Sequence, residues 1–345
     1  MNNKKTIATL KHFKSLNKKN TKIYINNNII NIVNDNDTQC EVASDLKLPN
    51  GLYEINDILE VLKLDPFTYE ILNNNQIKLV FDGNMSKIMY FNNNEFEVEQ
   101  YIKNKLICIE LLKSFLLKHD FNLTNYSQAS NDSRIFLNAT HIYNIDNYLK
   151  VESTDGHRVN LLSYNNTDLP DFDFLISNKV TDLLGKLTNE INILKFSDNI
   201  LVFEFENIKI ISQKVDARYP DIDRVIPKYN DIIIQVNRLE MLEAIKKLGK
   251  PLSDLKSLYL RINKNELILD NESTNLSISC IVEKNINNFN VNVAFNQNYI
   301  LDLFQHATVE NLTFYLVDNA RSVLVKHNSE DYSLQQVTVI MPLRT

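Results

Sequence analysis

The feature of this sequence that most constrains its fold is a repeat of about 120 residues. Three short segments, ILEVL at 58–62, VTDLL at 180–184 and ILDLF at 300–304, begin 122 and 120 positions apart. Each places apolar residues at its first, fourth and fifth positions and an acid at its third. This spacing predicts an amphipathic helix with the acid on its solvated side. The chain is therefore expected to contain three copies of one folding module.

Alternating apolar and polar residues flank these helices and predict strands. After each helix, two strands are predicted around an Asn- or Asp-containing turn, at 67–81, 191–205 and 312–325. Before each helix, a longer hairpin pattern covers 22–43, 134–162 and 257–282. A second helix is predicted to open each repeat, clearly at 106–118 and 239–248 and more weakly at 7–16. The order helix, hairpin, strand, helix, hairpin predicts an α+β module with two helices on an antiparallel sheet.

Repeat boundaries are predicted near residues 95 and 229. They divide the chain into repeat one (1–95, abbreviated and divergent), repeat two (96–229) and repeat three (230–345). Two or three domains are also what a chain of 345 residues is expected to form.

Composition excludes several classes of protein. The 37 basic and 43 acidic residues give a net charge of −6, which is not the basic footprint of a protein that wraps nucleic acid. Three widely spaced cysteines (Cys40, Cys108 and Cys280) form neither a disulfide framework nor a CxxC zinc motif. The absence of a long apolar run or signal core predicts a soluble, cytoplasmic protein with no membrane contact.

Three motif blocks stand out from the Asn-rich background: STDGHRV at 153–159, DARYPDIDRVIP at 216–227 and VIMPLRT at 339–345. RIFLN at 134–138, interpreted as a strand, and FNQNYILD at 295–302 accompany them. In this order, on a threefold repeat, the blocks resemble the family of the bacterial sliding clamp, the β subunit of DNA polymerase III. The resemblance covers about residues 96–345, whereas 1–95 fits by element order.

The resemblance implies three clamp domains per subunit and a head-to-tail ring, most simply a homodimer, with helices lining the channel. Such a ring would slide on duplex DNA without reading its sequence and would be placed there by an ATP-driven clamp loader. It would tether the DNA polymerase III catalytic subunit, and translesion polymerases, mismatch-repair proteins and ligase are further expected partners. The resemblance implies no catalysis, cofactor or metal, and a nucleoid-associated location.

The family's partner-peptide cleft can be carried over residue by residue onto the matching motifs. It is predicted from apolar and turn residues, with Arg158, Arg224 and Arg344 holding carboxylate or backbone groups at the rim. The full set is Leu137, Thr154, Gly156, His157, Arg158, Val159, Pro220, Arg224, Val225, Val339, Met341, Pro342, Leu343 and Arg344. Pro220 could instead belong only to the linker before repeat three. His157 has no partner at ligand or catalytic spacing, and Asp155-Gly156 is a turn dipeptide.

Lysines on the predicted helices are the candidate contacts to DNA phosphates. They are Lys11, Lys14, Lys113, Lys118, Lys179, Lys186, Lys246, Lys247 and Lys250, and each could equally be part of a solvated helix face. A closed ring is held on DNA by topology, so it does not need the affinity that a basic surface provides. The alternative interpretation is a clamp-like protein, a paralogue or a phage protein, that binds polymerase or loader peptides without closing on DNA.

Overall fold

The computed structural model describes residues 3–16, 22–34, 38–44, 46–64, 66–73, 75–81, 85–92, 107–110, 118–165, 169–187, 193–205, 207–251, 256–263, 266–285, 291–327 and 334–344. The chain divides into two compact units. The first unit contains Met1–Phe121 and Lys179–Lys214, and the second contains Asn122–Asn178 and Val215–Thr345. The predicted repeat boundaries at 95 and 229 remain a prediction.

Six helices of the described chain are α1 (Asn3–Leu16), α2 (Ile55–Leu64), α3 (Lys118–Asn125), α4 (Asn178–Lys186), α5 (Arg238–Leu248) and α6 (Gln297–His306). The three repeated segments lie in α2, α4 and α6, which confirms the helices predicted there. Each buries its periodic apolar positions, as Ile58, Val180 and Ile300 illustrate. Helix α1 packs against α2, and α5 packs against α6. Among the described residues, no helix has the length and apolarity required to cross a membrane.

The helix predicted at 106–118 is wrong at residues 107–110, whereas 106 and 111–117 lie outside the described residues. Ile107–Glu110 forms strand β8, and helix α3 begins at Lys118, where the predicted helix ends. A short apolar run suits a strand as well as a helix, and here pairing with Ile193–Phe196 decides between them. Helix α1 is longer than predicted, because it begins at Asn3 and buries Thr6 one turn before Leu10.

An 11-stranded antiparallel sheet forms the first unit, in the order β5-β6-β7-β4-β1-β2-β3-β15-β14-β13-β8. Besides β8, its strands are β1 (Lys22–Asn26), β2 (Ile29–Asn34), β3 (Thr38–Ala43), β4 (Gly51–Glu54), β5 (Phe67–Asn73), β6 (Gln76–Phe81), β7 (Ser86–Asn92), β13 (Ile193–Phe196), β14 (Ile200–Glu204) and β15 (Ile208–Gln213). The hairpin patterns predicted at 22–43, 67–81 and 191–205 are confirmed in this sheet.

A 12-stranded sheet forms the second unit, in the order β12-β9-β10-β11-β23-β22-β21-β16-β19-β18-β17-β20. Its strands are β9 (Ala139–Ile145), β10 (Tyr148–Thr154), β11 (Arg158–Asn165), β12 (Phe172–Ser177), β16 (Ile232–Asn237), β17 (Ser257–Asn263), β18 (Glu266–Asp270), β19 (Asn275–Asn285), β20 (Asn292–Asn296), β21 (Asn311–Leu316), β22 (Val323–His327) and β23 (Leu334–Ile340). Helices α5 and α6 share its main core, which includes Met241, Ile245 and Phe304.

Asn and Asp occupy the positive-φ positions of two tight hairpin turns, where glycine is common. Asn27 and Asn28 join β1 to β2 with φ of 48° and 66°, and Asp146 and Asn147 join β9 to β10 with φ of 53° and 66°. Positive φ at both central residues is the type I′ geometry that matches the twist of antiparallel strands. Asn and Asp tolerate it better than other non-glycine residues, so a chain with five glycines can still make these turns.

The last strand of repeats two and three was not predicted, and it joins neighbouring repeats. Strand β15 of repeat two pairs with β3 of repeat one, placing Ile208 opposite Val42. Strand β23 of repeat three pairs with β11 of repeat two, placing Leu334 opposite Tyr164. In both cases the third strand of one meander accepts the last strand of the following repeat. Each sheet therefore continues across a predicted repeat boundary.

Candidate functional site

An apolar row crosses the junction between repeats two and three on one face of the second sheet. Val159 lies opposite Val339, and Val339 lies opposite Leu324 on the next strand. Ile222, from the loop that carries the RYPD block, packs on this row, and all four side chains are buried. Tyr219, Ile226, Tyr315 and Val337 cover its edges. This cluster is the floor of the candidate cleft.

The turn between β10 and β11 is held by its own side chains. Thr154 Oγ1 donates to the carbonyl of Arg158 at 2.7 Å and accepts from Gly156 N at 3.0 Å. Asp155 Oδ1 accepts from the backbone N–H of His157 and of Arg158, at 2.9 and 3.0 Å. Gly156 has a φ of +90°, and a Cβ there would lie 3.4 Å from the Arg134 guanidinium. The side chains of Thr154 and Asp155 and the positive φ of Gly156 therefore fix the backbone conformation of this turn. The His157 side chain is left exposed.

The segment after β23 runs along this turn. Met341 N donates to the carbonyl of His157 at 2.9 Å, which extends the β11–β23 ladder by one bond. Leu343 N donates to the carbonyl of Ala294 at 2.7 Å and so anchors the segment to β20. The Met341 side chain is 50% exposed, Pro342 and Leu343 are half-buried, and Arg344 is exposed. Exposed thioether and apolar carbons beside a buried apolar row are suited to bind hydrophobic anchors.

The loop at 218–227 also borders the apolar row, against which Tyr219 and Ile226 pack. A 3-10 turn, Ile222–Arg224, points Ile222 into the apolar row. Pro220 and Arg224 are exposed, and Val225 is 48% exposed. Arg224 pairs with Asp221 at 2.8 Å, with 84% of its side chain exposed. This weak surface pair leaves the guanidinium able to change partner.

RIFLN at 134–138 does not form the predicted strand. Ile135–Asn138 is a 3-10 turn that buries Leu137 and stacks Phe136 edge-on against Tyr219, with ring centroids 6.4 Å apart. Asp132 accepts from the Arg134 side chain, and these bonds hold the pKa of Asp132 at about 2. Hydrogen bonding within this turn outweighs its strand-like composition.

A separate cavity of about 510 Å³ lies between the 218–224 loop and strands β9 and β10. It shares Tyr219 and Ile222 with the apolar row. Pro220 and Arg224 are the members of the predicted set that line it. At its base, His141 lies 3.0 Å from Glu152 and 2.9 Å from Asp173, and its ring stacks on Tyr143. Burial, and then the Glu152 carboxylate, raise the pKa of Tyr143. Sequence reasoning missed this group, because its members lie on three strands.

Arg158 does not have the predicted rim role. Only 8% of its side chain is exposed, and its guanidinium pairs with Asp155 at 3.0 Å and Asp302 at 2.8 Å. A buried guanidinium must satisfy its donors internally, and that of Arg158 does so with these two carboxylates. Asp302 is likewise not simply on a solvated face, as the repeat pattern suggested.

The lysines predicted to face DNA lie on or beside helices where they are described. Lys11 and Lys14 on α1, Lys179 and Lys186 on α4, and Lys246 and Lys247 on α5 have exposed side chains, and Lys250 lies exposed two residues after α5. Lys14 donates to Asn56, and Lys247 lies 3.8 Å from Glu243. Lys118 is the first residue of α3. Lys113 lies outside the described residues.

Sequence reasoning also missed three members of the cleft floor and edge. Ile222 lies inside a recognised motif block, and its apolar side chain among charged neighbours was an available signal. Leu324 and Tyr315 lie on β22 and β21, and ordinary strand alternation gave no sign of their position beside Val339. Their role follows from sheet register.

Comparisons with known proteins match the motif-bearing part of the chain. Residues 111–221 match the family model for the DNA polymerase III beta subunit, central domain, and residues 223–344 match that for its C-terminal domain. The beta sliding clamp of Haemophilus influenzae is 30% identical over 235 residues, which are 66% of this chain and 63% of that protein. The Escherichia coli beta sliding clamp is 28% identical over 237 residues, again 66% and 63%. The alignments thus cover slightly under two thirds of these relatives.

Solved structures match along the whole chain. A DNA polymerase sliding clamp from Pseudomonas aeruginosa superposes with a TM-score of 0.80 at 17% identity, covering 100% of this chain and 99% of that one. The DNA polymerase III beta subunit from Thermotoga maritima gives 0.80 at 16% identity, covering 100% and 98%. These likenesses show the sliding-clamp fold, α+β with helices on antiparallel sheets. Together with two family models that span 111–344 apart from one position, they place the chain in the DNA polymerase III beta subunit family.

Proposed function

We propose that this protein is a DNA sliding clamp, a ring that encircles duplex DNA and tethers a replicative polymerase. The observation that carries the proposal is the strand pairing between repeats. Strand β3 accepts β15, and β11 accepts β23, so the third meander strand of one repeat takes the last strand of the following repeat. Among the described residues, two strands remain without such a partner in another repeat: β19, the third meander strand of repeat three, and β7, the last strand of repeat one.

Both leftover strands can accept a further neighbour. In the described chain, β7 pairs with β6 through residues 86–90 and with β4 only at Phe91 and Asn92. Strand β19 pairs with β18 through residues 275–279 and with β16 through 280–285. Exposed apolar side chains accompany them: Ile88 and Tyr90 on β7, and Ile281 on β19. A second copy that supplied the missing strand would cover these edges and close a head-to-tail ring, most simply a dimer.

The charge distribution suits topological binding. With a net charge of −6 the molecule has little general affinity for DNA, whereas its helices carry exposed lysines that can meet phosphates without reading bases. The clamp itself would catalyse no reaction. The cleft floored by Val159, Val339 and Ile222 would take linear peptides of the polymerase catalytic subunit, the loader and other clamp-binding proteins on the nucleoid.

The decisive experiment measures retention on DNA. Purified protein is loaded on a nicked circular plasmid with clamp loader and ATP, and the complex is isolated by gel filtration before and after the plasmid is linearised. A clamp stays on the circle and slides off the linear form. Equal retention on both forms would contradict encirclement. No retention on either, with intact binding to the polymerase subunit, would indicate a peptide-binding protein that does not close on DNA.

A further inference from the structure

The buried guanidinium of Arg158 joins repeat two to helix α6 of repeat three. Its Nη1 lies 2.8 Å from Asp302 on α6, and its Nε lies 3.0 Å from Asp155 in the β10–β11 turn. Nη2 donates to the carbonyl of Tyr126, which follows α3. Three different segments of the second unit therefore meet at one side chain.

Aromatic rings enclose this guanidinium. Its central carbon lies 4.2 Å from the ring centroid of Tyr299 and 5.5 Å from that of Tyr126, within the range of cation–π attraction. Tyr299 and Asp302 are three residues apart on α6 and so project from the same side of the helix. One turn later, His306 stacks on Tyr126 with ring centroids 4.7 Å apart. Two residues on one face of α6, Tyr299 and Asp302, thus contact Arg158 directly, and His306 contacts the Tyr126 ring beside it.

The backbone at Arg158 is part of the candidate cleft. Arg158 begins β11 opposite Ile340, and the preceding carbonyl, that of His157, accepts from Met341 N. The Arg158 side chain is therefore attached to the same stretch of backbone, residues 157–158, that holds the Met341 segment. The Asp302 side chain is 32% exposed and lies on a helix outside the predicted cleft.

We propose that Asp302 is a positioning residue for the peptide cleft, acting through Arg158. Because Arg158 is buried, loss of the Asp302 charge leaves part of its guanidinium unpaired, and the side chain must turn toward Asp155 or toward solvent. Either movement displaces the turn that carries His157 and the ladder bond to Met341. The use of the cleft for partner peptides rests on the proposed function, whereas the mechanical link between Asp302 and Met341 does not.

The test uses the full-length protein and two readouts. Asp302→Asn removes the charge without changing the shape, and Asp182→Asn, at the equivalent position of α4, is the matched control. Surface plasmon resonance measures affinity for the polymerase catalytic subunit, and hydrogen exchange measures protection of the Met341 amide. We expect D302N to bind about tenfold more weakly, because the hydrogen bond to Arg158 loses its ionic contribution, and to exchange faster at Met341. D182N should match the parent protein, and D302E should recover part of the loss.

A double variant separates positioning from general destabilisation. If Asp302 acts through Arg158, then R158K with D302N should bind no more weakly than R158K alone, with all variants folded by circular dichroism. Unchanged Met341 exchange in D302N, or additive losses in the double variant, would overturn the proposal. If the parent protein does not bind the polymerase subunit, the proposed function fails, and the exchange measurement still tests the link.

Discussion

His327 shows how burial changes the chemistry of one side chain. It ends β22 with 6% of its surface exposed, and its Nε2 lies 3.1 Å from Thr338 Oγ1. Burial lowers the pKa of His327 to about 3, because the charged imidazolium would lose its hydration. Thr338 also lies 3.4 Å from the Tyr126 hydroxyl, so this neutral group belongs to the polar network beside the cleft.

The His327 pKa predicts an acid-sensitive stability. An unfolded histidine titrates near 6.5, so between about pH 6.5 and pH 3 the unfolded chain binds a proton that the folded chain does not. Stability is therefore complete above that range and falls as the pH falls, by about 2 kcal/mol at pH 5. Urea unfolding at pH 7.5 and pH 5 should show this loss reduced in His327→Gln. Exposed His157→Gln is the control, and an equal loss in H327Q and the parent protein would contradict the assignment.

At the level of elements, asparagine begins helices as well as hairpin turns. Asn237 Oδ1 accepts from the backbone N–H of Leu239 and of Glu240, at 3.0 and 3.2 Å, at the start of α5. Asn296 caps α6 in the same way through Asn298 N. Each cap is the last residue of a strand, β16 or β20, so the same side chain ends the strand and satisfies donors of the first helical turn.

Removing the α5 cap should destabilise the protein. Asn237→Ala leaves the Leu239 and Glu240 amides without their side-chain acceptor, at a cost of about 1 kcal/mol in the free energy of unfolding. Asn237→Asp retains an acceptor and should cost little. Urea denaturation of the three proteins checks this, and an N237A midpoint equal to that of the parent protein would exclude a capping role.

The segment after β23 is the element on which cleft affinity should depend. Met341→Ala combined with Leu343→Ala removes apolar surface beside Val159 and Val339 while leaving both backbone hydrogen bonds in place. We expect affinity for the polymerase catalytic subunit, measured by surface plasmon resonance, to fall at least tenfold, with the melting temperature little changed. Leu239→Ala, an exposed apolar truncation on α5, is the control. Unchanged affinity in the double variant would remove this segment from the site.

At the scale of the whole molecule, strand pairing between repeats governs assembly. Ile88 and Tyr90 are 53% and 64% exposed on β7, beside the edge that a second copy is proposed to cover. Lysines placed on a strand segment that is to pair with another chain oppose that pairing, through charge repulsion and loss of apolar contact. The same substitution on a strand outside the proposed junction should not.

Ile88→Lys with Tyr90→Lys should therefore convert a self-associated protein into monomers. Sedimentation velocity over a concentration series measures this, with Ile71→Lys on β5, an equally exposed apolar position, as the control. The parent protein and I71K should sediment as the same assembly, and I88K/Y90K at the mass of one chain. A parent protein that stays monomeric at high micromolar concentration would contradict the ring.

The sequence by itself determined the repeated helices, most of the hairpins and the family, because these depend on local periodicity, turn residues and short motifs. Only the tertiary structure determined which motif residues are exposed and which residues the buried ones contact. Arg158 belongs to a recognised block, yet its carboxylate partner Asp302 lies 144 positions away, and that contact buries it. Strands β15 and β23 likewise show only ordinary alternation, while their partners belong to the preceding repeat. Periodicity predicts that a residue is buried. Only the folded sheet determines which residues it packs against, since pairing partners and register arise from contacts distant in sequence.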